Sequence, residues 1–110
     1  MPENEFAGED FFPKLGDINR MVHSPARLVI LTYLYVVESG DLVYLLRQTG
    51  LTWGNLSTHI NKLEEAGYIV IEKEFRNRKP HTLVHLTDDG REAFRIYKQN
   101  MLDVLGDLPA

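Results

Sequence analysis

The 110-residue sequence predicts a mainly α fold with one small β-hairpin, and three observations carry that reading. Apolar residues recur every three or four positions through most of the chain, so helices dominate. The stretch from Tyr68 to Leu86 instead reads as two short β-rich runs around a turn-forming cluster, the pattern of a hairpin. Glycine and proline stand where helices stop or start, which places the element boundaries.

In chain order, residues 1–12 read as a flexible acidic arm and 13–110 as one domain. Leu15, Ile18, Met21 and Val22 fall at helical spacing, so a short amphipathic helix is expected from Pro13 to Val22. Ser24 followed by Pro25 reads as an N-cap with proline at the first helical position, where its missing N–H does no harm. The helix they open runs to about Val37 and is apolar nearly all round, so it is expected to be central and buried. Ser39-Gly40-Asp41 ends it. A short helix from about Val43 to Gln48 turns Leu42, Leu45 and Leu46 inward and is closed by Gly50. Thr52 is the expected N-cap of the next helix, which runs to Ala66 and stops at Gly67. Tyr68 to Phe75 then forms a strand, Arg76 to Pro80 a turn, and Thr82 to Leu86 the returning strand. Asn77 is among the few non-glycine residues that tolerate positive φ at such a tip. Thr87 caps a last helix, with Asp88 and Asp89 in its first turn where the helix dipole favours anions. That helix reaches about Leu105, and Gly106 and Pro109 end it. Two helices joined by Thr49-Gly50-Leu51-Thr52, with a hairpin directly after the second, make a winged helix-turn-helix with extra N- and C-terminal helices.

Composition narrows the function. The chain has 44% hydrophobic and 25% charged residues and no cysteine, so disulfides, thiolate metal sites and a cysteine nucleophile are all excluded. The acidic N-terminus lacks the features of a signal peptide, and no apolar run approaches the roughly 20 residues that span a bilayer, so a cytoplasmic protein without a membrane partner is expected. The formal net charge of −4 argues mildly against a polyanionic partner, but it is unevenly spread. Residues 1–17 alone carry a net −4, whereas Arg76, Arg78 and Lys79 fall within four positions containing no acid.

On the helix from Thr52 to Ala66, Leu56, Ile60 and Leu63 form the buried stripe. Trp53, Gly54, Asn55, Ser57, Thr58, Asn61 and Lys62 turn away from it to varying degrees. Asn, Ser and Thr can bond base edges, Lys62 can neutralise a phosphate, and Gly54 lets backbone approach another surface closely. Glu64 and Glu65, which would repel DNA, are confined to the far end. Any one of these polar residues is more simply a solvated surface position. Taken as a set, and followed by a basic-tipped hairpin, they point to double-stranded DNA. Arg76, Asn77, Arg78 and Lys79 are the expected wing contacts; the blander reading is a turn made basic for solubility. His59, beside the apolar stripe, reads as structural or as a phosphate donor.

The segments HSPARLVIL (23–31), LTWGNLSTHINKLEEAGYI (51–69) and RNRKPHTLVHLTDDGREAF (76–94) resemble the MarR/ArsR-type winged-helix transcription regulators, in particular the small winged-helix DNA-binding family. The resemblance covers roughly residues 18–97. It implies DNA binding by a dimer, with the third helix of the core in the major groove and the wing on the backbone or minor groove. Thr58 departs from the family pattern, standing where Arg or Lys is frequent; Asn77 replaces the usual wing glycine, and Val43 opens the second core helix where a capping Ser or Asn is more typical.

His81 and His85 lie on one side of a strand, but two histidines are too few for a metal site without a third ligand, and neither metal nor cofactor is expected. No phosphate loop, nucleophile elbow or His-Glu-x-x-His motif is present, so no enzyme is expected. In the last helix, Phe94, Tyr97, Met101, Val104 and Leu108 are separated by alternating threes and fours, and Leu102 and Leu105 widen the seam. Its outer part, over about 87–108, is expected to pair with a second subunit together with Phe11, Phe12 and Leu15, giving a homodimer that matches a two-fold operator. Folding back onto the Phe11/Phe12 segment of the same chain is the other fate open to it. Tyr33, Tyr35, Phe94 and Tyr97 could line a pocket for a small-molecule effector of unknown identity, or simply form core. The leading expectation is a sequence-specific DNA-binding transcriptional regulator. The alternative is a winged helix used as a protein-interaction module in a larger complex, without DNA specificity of its own.

Overall fold

The computed structural model describes residues 18–106 and 109. Within them run α1 (Pro25–Val37), β1 (Ser39–Asp41), α2 (Leu42–Thr49), α3 (Trp53–Glu65), β2 (Ile69–Arg76), β3 (Lys79–Leu86) and α4 (Asp88–Leu105). This is the winged helix-turn-helix expected from the sequence, with a three-stranded antiparallel sheet of order β1-β3-β2 in place of a bare hairpin. The core joins Ile30, Leu31 and Leu34 of α1 to Leu45 of α2, Leu56, Ile60 and Leu63 of α3, Ile69 and Val84 of the sheet and Tyr97 of α4.

Several local features differ from the sequence reading. The described part of the expected 13–22 helix is a turn, because Asn19 Oδ1 accepts the Met21 and Val22 amides at 2.9 and 3.2 Å and so replaces helical bonding. Asn19 also donates to the Tyr68 hydroxyl at 2.8 Å, fastening that turn to the base of the wing. Ser24 holds the N-cap position of α1 but makes no side-chain capping bond. Helix α1 is buried on one stripe only: Val29 and Val37 are exposed, and Val36 is 77% exposed, because a core of this size covers a single face. Ser39-Gly40-Asp41, expected only to stop α1, pairs with β3 through Ser39↔His85, Gly40↔Val84 and Asp41↔Leu83. Three residues with neither alternation nor a β-branched side chain give no strand signal.

Helix α2 also starts one residue earlier than expected, at Leu42, with Asp41 as its N-cap. Asp41 Oδ1 accepts the Val43 amide at 2.8 Å, so Val43 needs no capping side chain, and Gly50 ends the helix with φ 68°. Thr52 caps α3 by accepting the Asn55 amide at 3.2 Å. The wing turn is tighter than the sequence predicts. Arg76 pairs with Lys79, leaving a two-residue turn in which Asn77 and Arg78 both have positive φ, 52° and 66°. That is the primed geometry suited to the twist of a hairpin. Pro80, opposite Phe75, falls at the non-hydrogen-bonded pair and beyond the reach of β1, so its missing N–H costs no ladder bond.

The end of α3, the base of the hairpin and the start of α4 meet at Thr87. Its amide donates to the Tyr68 carbonyl at 3.0 Å and its hydroxyl donates to the Gly67 carbonyl at 2.7 Å. The same hydroxyl accepts the Gly90 amide at 2.9 Å, which caps α4. This close packing leaves no room at Gly90, where a Cβ would overlap the Tyr68 carbonyl oxygen. In an ordinary helix interior Gly→Ala stabilises by about 1 kcal/mol. Gly90→Ala is instead expected to destabilise by about 1–3 kcal/mol, the usual scale of overpacking, read as a lower denaturant midpoint; a midpoint at or above wild type would disprove the close approach.

Candidate nucleic-acid interface

Leu56, Ile60 and Leu63 anchor α3 in the core, so its other residues project from a rigid base. Trp53, Gly54, Asn55, Ser57, Thr58, Asn61 and Lys62 are all exposed. The spacing of Gly54, Thr58, Asn61 and Glu65 sets them opposite the buried stripe, so the outward line begins with small and neutral side chains and turns acidic only at the C-terminal end. Asn55, Ser57, Asn61 and Lys62 make no side-chain hydrogen bond or ion pair among the described residues. Thr58 differs: its hydroxyl donates to the Gly54 carbonyl at 3.0 Å, so only its lone pairs and methyl face outward. No described side chain or distant backbone crowds Gly54, where a Cβ would stand in open space. The fold therefore does not require glycine there.

Arg27 fixes the flank of α3. Its Nε donates to the Met21 carbonyl at 2.6 Å, and its guanidinium lies 3.0 Å from His59 Nδ1. Burial, then the positive charges of Arg27 and Lys62, pushes the His59 pKa down, so Nδ1 is the acceptor of a neutral ring. Sequence reasoning placed His59 beside the stripe but did not find this partner, since 32 positions separate the two residues.

The two faces of the wing are chemically different. One carries Glu72, Glu74 and Arg76 of β2 with Lys79, His81, Leu83 and His85 of β3, and Asp41 of β1 beside them. Here Arg76 is ion-paired with Glu74, His81 Nδ1 sits 3.0 Å from Asp41 Oδ2, and His85 Nε2 is 3.6 Å from Glu72. Burial alone would raise the Asp41 carboxyl, but hydrogen bonds from His81 and from the Val43 and Tyr44 amides outweigh it and hold the pKa low. The opposite face, shared with the core residues Ile69 and Val84, continues outward as Lys73, Thr82, Phe75 and Pro80 and bears no carboxylate. Asn77, Arg78 and Lys79 are exposed at the tip.

The residues expected at a dimer contact divide into groups. Phe11, Phe12, Leu15 and Leu108 lie outside the described residues, as do 1–12. Tyr97 is 7% exposed and belongs to the chain's own core, its hydroxyl 2.8 Å from His23 Nδ1. Phe94, Met101 and Val104 are half-buried, whereas Leu102 and Leu105 are about half exposed, at 51% and 54%. Phe94, Tyr97, Met101, Leu102 and Leu105 line an open apolar groove of about 390 Å³ whose other wall is Leu28 of α1. Of the remaining aromatics considered for an effector pocket, Tyr35 stacks on Phe94 beneath the Arg91 guanidinium, and Tyr33 pairs with Tyr44.

Residues 26–105 match the family model described as a winged helix DNA-binding domain. An uncharacterized protein of Methanocaldococcus jannaschii is 34% identical over 85 residues, covering 77% of this chain and 92% of that protein. The structure of a transcriptional regulator homologue from Pyrococcus horikoshii superposes with a TM-score of 0.77 at 29% identity, over 82% of this chain and 91% of the other. A MarR-like transcriptional regulator from Thermotoga maritima shares the fold, with a TM-score of 0.57 at 20% identity over 89% of this chain and 67% of its own. No helix among the described residues is long and apolar enough to cross a membrane.

The lowered His59 pKa has a testable sign. The unfolded ring binds protons more readily than the folded one, so its contribution to stability is complete above pH about 6.5 and is lost as pH falls through the folded-state value. An NMR titration of His59 should give a midpoint below that of an unstructured histidine. Denaturant midpoints of His59→Gln should also fall less than those of wild type between neutral and mildly acidic pH. A midpoint at or above the ordinary value would contradict the Arg27 contact.

Proposed function

Given that the chain belongs to the winged helix DNA-binding domain family, whose members are DNA-binding domains and not a class of enzyme, we propose that it is a sequence-specific transcriptional regulator acting on double-stranded DNA. The observation that carries the reading is the outward face of α3: uncommitted Asn55, Ser57, Asn61 and Lys62 on a core-anchored helix, with acids only at its far end. In this proposal α3 enters the major groove N-terminus first. Asn55 and Asn61 read base edges, Ser57 and Thr58 add shorter polar or methyl contacts, and Trp53 packs at the groove edge. The open space at Gly54 admits a phosphate to the helix N-terminus. Asn77, Arg78 and Lys79 reach the backbone or minor groove from the wing. Arg76 contributes least, because Glu74 already neutralises it.

We propose further that the protein works as a homodimer built on α4. The half-exposed Leu102 and Leu105 border the apolar groove that runs along Leu28, and covering them on a second copy removes that surface from water. Two recognition helices related by a dyad then meet two half-sites about one helical turn apart. The competing reading, a protein-interaction module, draws on the net charge of −4 and on a Thr58 hydroxyl already bonded to its own helix.

Selection from a random duplex library at about 0.1 M salt, where the screening length is near 10 Å, separates the two. An enriched inverted repeat, with a dimeric mass in light scattering, is the expected result; weak binding without enrichment supports the protein-interaction module. On the selected site, Asn55→Ala and Asn61→Ala should each cost about 1–3 kcal/mol and relax specificity at one position. Lys62→Ala and Arg78→Ala should instead weaken all sequences alike and reduce the salt slope by about 0.9 each, with Arg76→Ala changing it less. Gly54→Ala should raise stability by up to about 1 kcal/mol while lowering affinity for DNA; unchanged affinity would remove Gly54 from the interface.

A further inference from the structure

Phe75 is the most exposed large apolar residue of the described chain, at 78%. It stands on β2 immediately before the wing turn and faces its cross-strand partner Pro80. Beyond its cross-strand neighbour Pro80 the fold leaves most of this ring in water, apolar area that a partner could cover. Strand alternation places it on the core side of the sheet, the side against which α3 packs, in line with Ile69, Ile71 and Lys73.

The charges around it are sorted. Glu72 and Glu74, with Asp41 of β1, all lie on the opposite face of the sheet, where Arg76 is held by Glu74. On the face of Phe75 and Pro80 the only charged side chain of the hairpin is Lys73, and Arg78 stands at the adjoining tip without an ion-pair partner among the described residues. A partner surface that suits this arrangement is anionic, tolerates an aromatic ring and continues from the surface met by α3. The minor groove of duplex DNA, flanking the major-groove segment, has those properties. Apolar side chains there wedge between base steps and unstack them, and narrow grooves attract arginine.

Resting on the DNA-binding reading above, we propose that Phe75, backed by Pro80, is a minor-groove wedge that unstacks one base step beside each half-site, with Arg78 and Lys73 holding the phosphates on either side. The wedge makes the protein sensitive to sequence where it forms no base-edge hydrogen bond. It selects flexible pyrimidine–purine steps, TA or CA/TG, over stiffer ones in the flank.

The test uses the duplex recovered by the selection, carrying 2-aminopurine at successive flanking positions, with affinity read by fluorescence anisotropy. Wild type should brighten 2-aminopurine at one flanking step, and replacing a flanking TA step by a stiffer one should weaken binding. Phe75→Ala should abolish the brightening and the flank preference and lower affinity about tenfold, on the scale of withdrawing a covered aromatic. Phe75→Leu should retain part of both. Neither variant should alter the salt slope, because no phosphate contact is removed; this separates the wedge from Arg78→Ala. Phe75 lies outside the core, and an unchanged denaturant midpoint for both variants verifies folding. Equal affinities with no brightening at any flank would overturn the wedge while leaving DNA reading intact. Failure of wild type to bind any duplex in a salt-dependent way overturns both, and assigns the Phe75–Pro80 patch to a protein partner.

Discussion

The placement of the wing and α4 relative to the core-anchored α3 depends on one joint, the contact of Thr87 and Gly90 with the Gly67–Tyr68 backbone. Gly67, with φ 79°, ends α3 and turns the chain into β2. Thr87 returns from β3 to the same two carbonyls and starts α4 in the same step. One residue, through its amide and its hydroxyl, therefore closes the hairpin, caps the last helix and satisfies the carbonyl that follows α3. The angles among α3, the wing and α4 are set together because they share this point. Asn19, bonded to the Tyr68 hydroxyl, adds the N-terminal turn to the same joint, and Arg27 ties that turn to His59 on α3. The Gly67 and Tyr68 carbonyls and the Tyr68 hydroxyl are thus all paired, as buried backbone requires, and each pairing fastens another element to the end of α3.

How much of this is legible in the sequence depends on whether the controlling interaction is local. The helix-turn-helix, both strands of the wing and the last helix follow from periodicity and from caps that act within three residues: Thr52 on Asn55 and Thr87 on Gly90. The acid-free start of α3 is likewise visible, since helical spacing alone sorts its faces. What is not legible is produced by partners far apart in the chain. Strand β1 exists because His85, Val84 and Leu83 offer it an edge, and Ser39-Gly40-Asp41 has no strand character of its own. The lowered pKa of His59 comes from its burial and then from Arg27, 32 positions away. The exposure of Val36 shows the limit of an apolar run as a burial signal: composition marks a helix as suited to a core, but only its neighbours decide how many faces are covered.

The acidic composition is reconciled with a polyanionic partner by this sorting of charge. Carboxylates of the wing lie on one side of the sheet and those of α3 at its C-terminal end, so neither group fronts the surface proposed for DNA. The same arrangement limits how strongly the protein can bind through phosphates. Lys62, Lys73, Arg78 and Lys79 are few, and each adds only one released counterion. With so small an electrostatic contribution, the affinity proposed at physiological salt rests on terms that salt does not screen: the base-edge bonds proposed for the asparagines, the proposed apolar contact at the wing, and doubling of both by the proposed dyad. A more basic relative of the same fold could tolerate loose geometry, since phosphates lie everywhere along a duplex. On the proposed reading this chain cannot, and a core-anchored α3, a two-residue wing turn and the hydrogen-bonded joint at Thr87 supply the rigidity that its charge calls for.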